Sequence, residues 1–183
     1  MKYFKKQDLE FDIERLQNET NELLSQVDWK QWAGQGICMT QVPGDPSSVD
    51  DDKLKGLYYT KPDSTGEEVT RENSIDESKY TEFRKEYSGM YFEEIHSELS
   101  KRWTIGRMRL FLIEPRTCLS WHRDPEPRLN IAITTNYGSF LVIEDEQFII
   151  PTDGSVWFTD TTNYHTSYNG GEENKISLIT TCI

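Results

Sequence analysis

Groups that bind transition metals are scarce in this chain: three histidines and three cysteines among 183 residues. Cys38, Cys118 and Cys182 are odd in number and share no metal-ligand spacing. That argues against a zinc–cysteine module or a disulfide scaffold and leaves reduced thiols, the pattern of a cytoplasmic protein. Basic residues are outnumbered, 20 against 32 acidic ones, giving a net charge of −12 and a pI near 4.7. This balance disfavours nucleic acid and anionic membranes as partners, since both demand basic patches, and simple solubility accounts for it. No apolar run approaches the length of a membrane span. The start, Met1-Lys-Tyr-Phe-Lys-Lys-Gln-Asp, carries no leader-type hydrophobic stretch. Internal repeats are lacking too, and the length fits one domain with a buried core.

What is present concentrates in the second half. From Arg107 the chain reads as eight short strands: Arg107–Ile113, Thr117–His122, Leu129–Thr134, Phe140–Ile143, Gln147–Ile150, Ser155–Phe158, Tyr164–Tyr168 and Lys175–Thr181. They are rich in Ile, Val, Phe and Thr. Turn residues at Pro115, Pro125-Glu126-Pro127, Asn136-Tyr137-Gly138, Asp153-Gly154 and Asn169-Gly170-Gly171 break them. Eight such strands in about seventy-five residues predict a mainly β protein with a double-stranded β-helix core, the jelly roll of the cupins.

Two of the three histidines fall at strand ends on that map. His122 lies two residues before Asp124, and His165 follows 43 residues later. In extended chain, residues i and i+2 point the same way, so His122 and Asp124 can grip one ion while Arg123 faces outward. Two imidazoles and a carboxylate on one face of a metal leave the opposite face open for a co-substrate and dioxygen, the arrangement of non-haem iron oxygenases. The bare tripeptide is a common surface-loop feature. A jelly roll that brings both histidines to one barrel mouth makes the metal reading the stronger one. The third histidine, His96, reads as a helix-surface residue.

Alternation supplies a second group. Along the last strand, Lys175, Ser177 and Ile179 share one face, with Ile176 and Leu178 on the other. A cation and a hydroxyl beside a metal can hold the far carboxylate of a dicarboxylic acid. In the third strand Arg128, Asn130, Ala132 and Thr134 alternate against Leu129, Ile131 and Ile133. A polar face turned into a barrel implies a ligand-lined cavity, because unpaired polar groups are costly to bury. Arg107 and Arg109 also share a face. They either grip a carboxylate-bearing substrate or pair with the chain's own acidic residues.

The segments His122-Arg-Asp124, Arg128-Leu-Asn-Ile, Asp153-Gly154-Ser155 and His165-Thr-Ser-Tyr-Asn169, with Lys175 ten residues after His165, occur in this order over roughly residues 105–183. They resemble the iron- and 2-oxoglutarate-dependent dioxygenases, and within them the aspartyl/asparaginyl β-hydroxylase branch with its proline-hydroxylase-like members. The resemblance implies that His122, Asp124 and His165 bind Fe(II), that Lys175, with Ser177, anchors 2-oxoglutarate, and that Arg128 helps hold it. It implies hydroxylation of an amino-acid side chain, Asp/Asn or proline-like. The family usually has arginine where Lys175 stands, and its β-hydroxylase branch commonly has histidine at Asn130. The carboxylate Asp124 leans toward the proline-hydroxylase-like members. Arg107, Arg109 and Asn130 are the candidate substrate residues. With Arg116, Arg123 and Arg128, the two arginines make 107–128 locally basic, so a positive barrel mouth and a carboxylate-bearing amino acid or peptide substrate are expected. Two rivals stand beside this reading: a non-catalytic cupin-like binding module, and a zinc hydrolase on the same ligands, for which no general base is evident.

Residues 1–104 read as a helical flank of the 105–183 core within one domain. Leu9, Ile13, Leu16, Leu23 and Val27 approximate one helical stripe, and Phe83, Tyr87, Tyr91, Ile95 and Leu99 another. Both are expected to pack on the outside of the barrel. Between them, residues 42–78, with the acidic run Asp50–Asp52, are Pro-, Gly-, Ser- and acid-rich, which fits either a loop or a lid over the mouth.

Overall fold

The computed structural model describes residues 1–27, 36–50, 55–61 and 66–183. The chain begins with strand β1 (Phe4–Glu10) and helix α1 (Ile13–Ser25). Five two-residue or edge strands follow: β2 (Ile37–Cys38), β3 (Thr40–Gln41), β4 (Tyr59–Thr60), β5 (Val69–Thr70) and β6 (Glu82–Phe83). Helix α2 (Tyr91–Ser100) leads into β7 (Ile105–Ile113), β8 (Thr117–Cys118), β9 (Arg128–Thr134), β10 (Ser139–Ile143), β11 (Glu146–Phe148), β12 (Ser155–Thr159), β13 (His165–Asn169) and β14 (Lys175–Cys182). Strands β7 to β14 are the eight expected from sequence, with shifted ends. The fifth lies one residue early, and the second is only Thr117–Cys118, rejoining its neighbour at a single His122–His165 bridge.

Two sheets face each other. The larger has the order β1-β12-β9-β14-β7-β2 and the smaller β11-β10-β13-β8. Every pairing within them is antiparallel. This is the jelly roll, mainly β with two flanking helices. The period-two pattern explains how it holds together. On the outer face of the larger sheet, Met108, Leu110 and Leu112 of β7, Leu129, Ile131 and Ile133 of β9, and Ile176 and Leu178 of β14 join one core cluster. Leu16 and Leu23 of α1 and Tyr91, Ile95 and Leu99 of α2 close over it. The Asp12 side chain caps α1 by accepting from the Arg15 amide at 3.0 Å. The inner face carries the polar alternates, with an apolar plug at one end from Phe4, Ala132, Leu141, Ile143 and Trp157.

The flank differs from its expected form in three places. Leu9 belongs to β1, an edge strand paired with β12, and not to the first helix. Phe83 sits in β6 and Tyr87 in a short 3-10 turn, so α2 starts only at Tyr91; Gly89, at φ +85°, separates the turn from the helix. His96 is half-buried against Phe83, ring centroids 5.2 Å apart, with its Nε2 buried and unpaired and its pKa lowered by burial, so it is not a surface histidine. No helix among the described residues is long and apolar enough to cross a membrane.

Candidate active site

His122 and His165 face each other across the bridge that ends β13. Each amide donates to the other's carbonyl, at 3.0 and 2.7 Å, and the imidazole centroids are 4.3 Å apart. Asp124 is pinned by its amide to the Thr161 carbonyl at 2.8 Å. Each imidazole sets its Nδ1 against a backbone carbonyl, Ser120 for His122 at 2.6 Å and Asn163 for His165 at 3.1 Å. A carbonyl only accepts, so Nδ1 carries the proton and Nε2 keeps its lone pair toward the cavity. The two Nε2 atoms lie 3.8 Å from opposite oxygens of Asp124. One donor atom from each residue falls within 4.8 Å of the others. Burial lowers the His165 pKa to about 4, which keeps that ring neutral at physiological pH. Two imidazoles and a carboxylate are a fitting donor set for Fe(II).

A cavity of about 90 Å³ opens from these three residues into the barrel. Its walls include inward alternates of five strands, β7, β9, β10, β13 and β14. Register places Ser177 beside Phe111 and Ala132, and Lys175 beside Ile113. Lys175, Ser177 and Ile179 therefore all line it, as alternation required, and Arg128 and Asn130 do so from β9. The Lys175 ammonium donates to the Ser167 hydroxyl at 2.8 Å. Among the described residues it has no carboxylate partner. Burial alone lowers its pKa to about 8. Ser167 went unnamed in the sequence, although its place two residues after His165 puts it on the same face of β13.

The arginines divide sharply. The Arg107 side chain is fully buried outside the cavity, its Nη1 2.7 Å from Glu77 and its Nε donating to the Cys38 sulfur at 3.0 Å. It has no route to a substrate and belongs with the pairing alternative. Arg109 also meets Glu77, at 3.0 Å, but reaches the cavity wall. Arg128 is held on several sides: Nη2 2.5 Å from Glu77, Nε 3.1 Å from Asp124, and Nη1 donating to Thr181 at 2.7 Å. It thus orients the Asp124 carboxylate. Asn130 lines the cavity with its amide donated to the Thr159 hydroxyl at 2.7 Å. Arg116 is exposed and paired with Glu172. Arg123 pairs with Glu68 and lies over Tyr59, so neither contributes to the mouth.

Glu77, invisible in the sequence, is the common partner of Arg107, Arg109 and Arg128. Burial works to raise its pKa, and the three guanidiniums more than offset it, holding the carboxyl well below its ordinary range. Gly56 and Gly106 make room for its turn: a Cβ on Gly56 would sit 2.7 Å from the Glu77 carboxyl carbon, and one on Gly106 2.5 Å from its carbonyl oxygen.

Of residues 42–78, the stretch around Tyr58 lies against the mouth, while Val42 and Val49 pack with Cys38 and Tyr80. Tyr59 and Arg123 exchange backbone hydrogen bonds at 2.9 and 3.0 Å, and the Tyr58 ring meets His122 edge-on at 5.1 Å. Asp51 and Asp52 of the acidic run lie outside the described residues. A second cavity, about 140 Å³, opens beneath this segment and shares Arg109, Phe111, Leu119, His122, Asp124 and Arg128 with the first.

No family model matches the chain, and no curated protein matches it. Among solved structures, a viral collagen prolyl hydroxylase from Paramecium Bursaria Chlorella virus-1, in complex with 2OG, superposes with a TM-score of 0.52 at 9% identity, over 98% of this chain and 95% of that one. AviO1 from Streptomyces viridochromogenes Tue57 gives 0.49 at 14% identity, over 98% and 89%. An oxidoreductase of the 2OG-Fe(II) oxygenase family from Burkholderia pseudomallei gives 0.41 at 11% identity, over 96% and 92%. At such identities the likeness is one of fold.

Proposed function

We propose that this protein is an Fe(II)- and 2-oxoglutarate-dependent dioxygenase that hydroxylates an amino-acid side chain, free or in a peptide. The observation that carries the reading is Lys175: a desolvated ammonium whose one partner among the described residues is a hydroxyl, in the same cavity as His122, Asp124 and His165. A buried cation without an anion is costly, and a carboxylate delivered by a ligand removes that cost. When bound, Fe(II) supplies the oxidation: dioxygen and 2-oxoglutarate become succinate, carbon dioxide and one oxygen atom inserted into a substrate C–H bond.

The chain's own groups do the holding and shielding. His122, His165 and Asp124 take the ion through Nε2, Nε2 and a carboxylate oxygen. Arg128 keeps Asp124 turned toward them; it positions a ligand and does not itself anchor the co-substrate. Lys175 and Ser167 hold the distal carboxylate, with Ser177 beside them. Phe111, Ile113, Leu141 and Ile150 wall the space between and exclude water. We further take residues 1–183 as one oxygenase domain, since β1 and β2 extend the same sheet as the barrel strands. Three free thiols suit a reducing compartment such as the cytoplasm. An Asp/Asn or proline side chain is the favoured target, from the β-hydroxylase resemblance of the ligand motifs; the viral neighbour is a prolyl hydroxylase.

The test is succinate formation from 2-oxoglutarate with Fe(II) and dioxygen, alone and with proline-, aspartate- and asparagine-containing peptides, read by mass gain of one oxygen. No succinate under any of these conditions refutes the proposal.

A further inference from the structure

The two adjoining cavities are lined by more positive than negative charge. Lys175 lines the inner cavity, Lys55 and Arg71 the outer one, Arg109 and Arg128 both, and Glu77 and Asp124 are the carboxylates, so the balance is five minus two, or +3. Fe(II) and a doubly charged 2-oxoglutarate offset each other, which leaves this excess in place when the inner site is loaded. It sits in a chain of net charge −12. Positive charge gathered in a concave site concentrates anions there.

The excess has a location. Arg71, just after β5, donates to the Tyr58 hydroxyl at 3.1 Å and lies over that ring at 5.2 Å. Among the described residues it has no carboxylate partner. Among the described residues Arg109, from the barrel wall, has as carboxylate partner a share of Glu77, which Arg107 and Arg128 approach more closely, at 2.7 and 2.5 Å. Burial depresses the Arg109 pKa to about 10, the opposite of what a fully paired guanidinium shows. Tyr58 in turn touches His122. Phe111 and Leu119 face both cavities and are the apolar surface on the way from Arg71 inward to His122 and Asp124.

We infer that Arg71, Arg109 and Tyr58 form a second carboxylate subsite, outside His122 and Asp124 and opposite Lys175, that takes a carboxylate of the molecule being oxidised. The substrate class is then a carboxylic acid whose hydrocarbon portion passes Phe111 and Leu119 to reach the reacting position. Arg71, borne by the segment over the mouth, and Arg109, borne by the barrel, grip it from two sides. This inference rests on the oxygenase reading above.

The experiment uses the full chain loaded with Zn(II), a redox-inert stand-in, and saturated with 2-oxoglutarate. N-acetyl derivatives of proline, leucine, aspartate and asparagine are titrated by NMR, each as free acid and as carboxamide. The expected result is at least one acid bound about tenfold or more tightly than its amide, as a charge-assisted contact gives over a neutral one. Arg71→Met and Arg109→Met should each remove that preference, with thermal unfolding confirming a folded variant; Arg71, partly exposed, is the safer of the two. If 2-oxoglutarate itself fails to bind the Zn(II)-loaded wild type, the oxygenase reading falls and this inference with it. If 2-oxoglutarate binds but no acid outcompetes its amide, including a panel in which nothing binds, the subsite alone is overturned. Survival of the preference in both variants overturns it equally.

Discussion

Replacing Glu77 by Gln keeps the shape of the side chain and removes the charge that three guanidiniums share. Its side chain is 3% exposed, against 0% for Arg107 and 4% for Arg128. Loss of one partner from a buried ionic network costs about 3–5 kcal/mol, because the surviving charges stay buried without compensation. Asp124 and Thr181 still serve Arg128, whereas Arg107 would meet a neutral amide where it now meets a carboxylate at 2.7 Å. For a domain of this size that loss lowers the melting temperature by roughly 6–20 °C. Urea unfolding of the metal-free protein should show it as a lower midpoint at unchanged slope. The pH dependence follows from the sign of the shift. Glu77 is held below its ordinary value of 4.5, so its contribution is present above that pH and is lost as pH falls below it. The Gln variant should lack this part of the acid sensitivity and converge with wild type at low pH. A variant within about 1 kcal/mol of wild type at pH 7 would refute the view that Glu77 ties the arginines together.

Four further outcomes are expected. His122→Ala and His165→Ala should each abolish Fe(II) binding by calorimetry and leave the fold nearly intact, because both lie at the barrel mouth. Asp124→Ala should instead combine weakened iron binding with lost stability, measurable by the same urea titration, since it also releases Arg128. Lys175→Met should weaken 2-oxoglutarate binding by about 2–5 kcal/mol, whereas Lys175→Arg keeps a cation at the position; equal affinity in wild type and the Met variant removes Lys175 from the site. Because burial lowers the Lys175 pKa to about 8, its positive charge is complete below that pH and lost above it, so 2-oxoglutarate affinity should decline as pH rises past 8, and Lys175→Arg should flatten that decline.

How much of this was legible in the sequence depends on whether a residue's role follows from a local pattern. Lys175, Ser177 and Ile179 alternate along one strand, and alternation alone put them on the inner face they occupy. His122 and Asp124 were readable for the same reason, two residues apart in extended chain. The edge strand β1 was not, because only Phe4 of its seven residues is buried and no alternation marks it. The second stripe misled differently: Phe83, Tyr87 and Tyr91 keep a helical spacing through a strand and a 3-10 turn that are set by their neighbours. Arg107 and Arg109 show the limit of face assignment. They point the same way, yet two residues along a strand is about 6.6 Å, enough to carry one guanidinium from the cavity wall into solid packing. What decides between them is Glu77, 30 residues before Arg107 in a Ser- and acid-rich stretch where a single glutamate has no pattern to distinguish it. The same holds for Tyr58 and Arg71. The barrel announces itself by periodicity, whereas the segment against its mouth acts through single side chains, and only the folded chain brings those to His122 and Asp124.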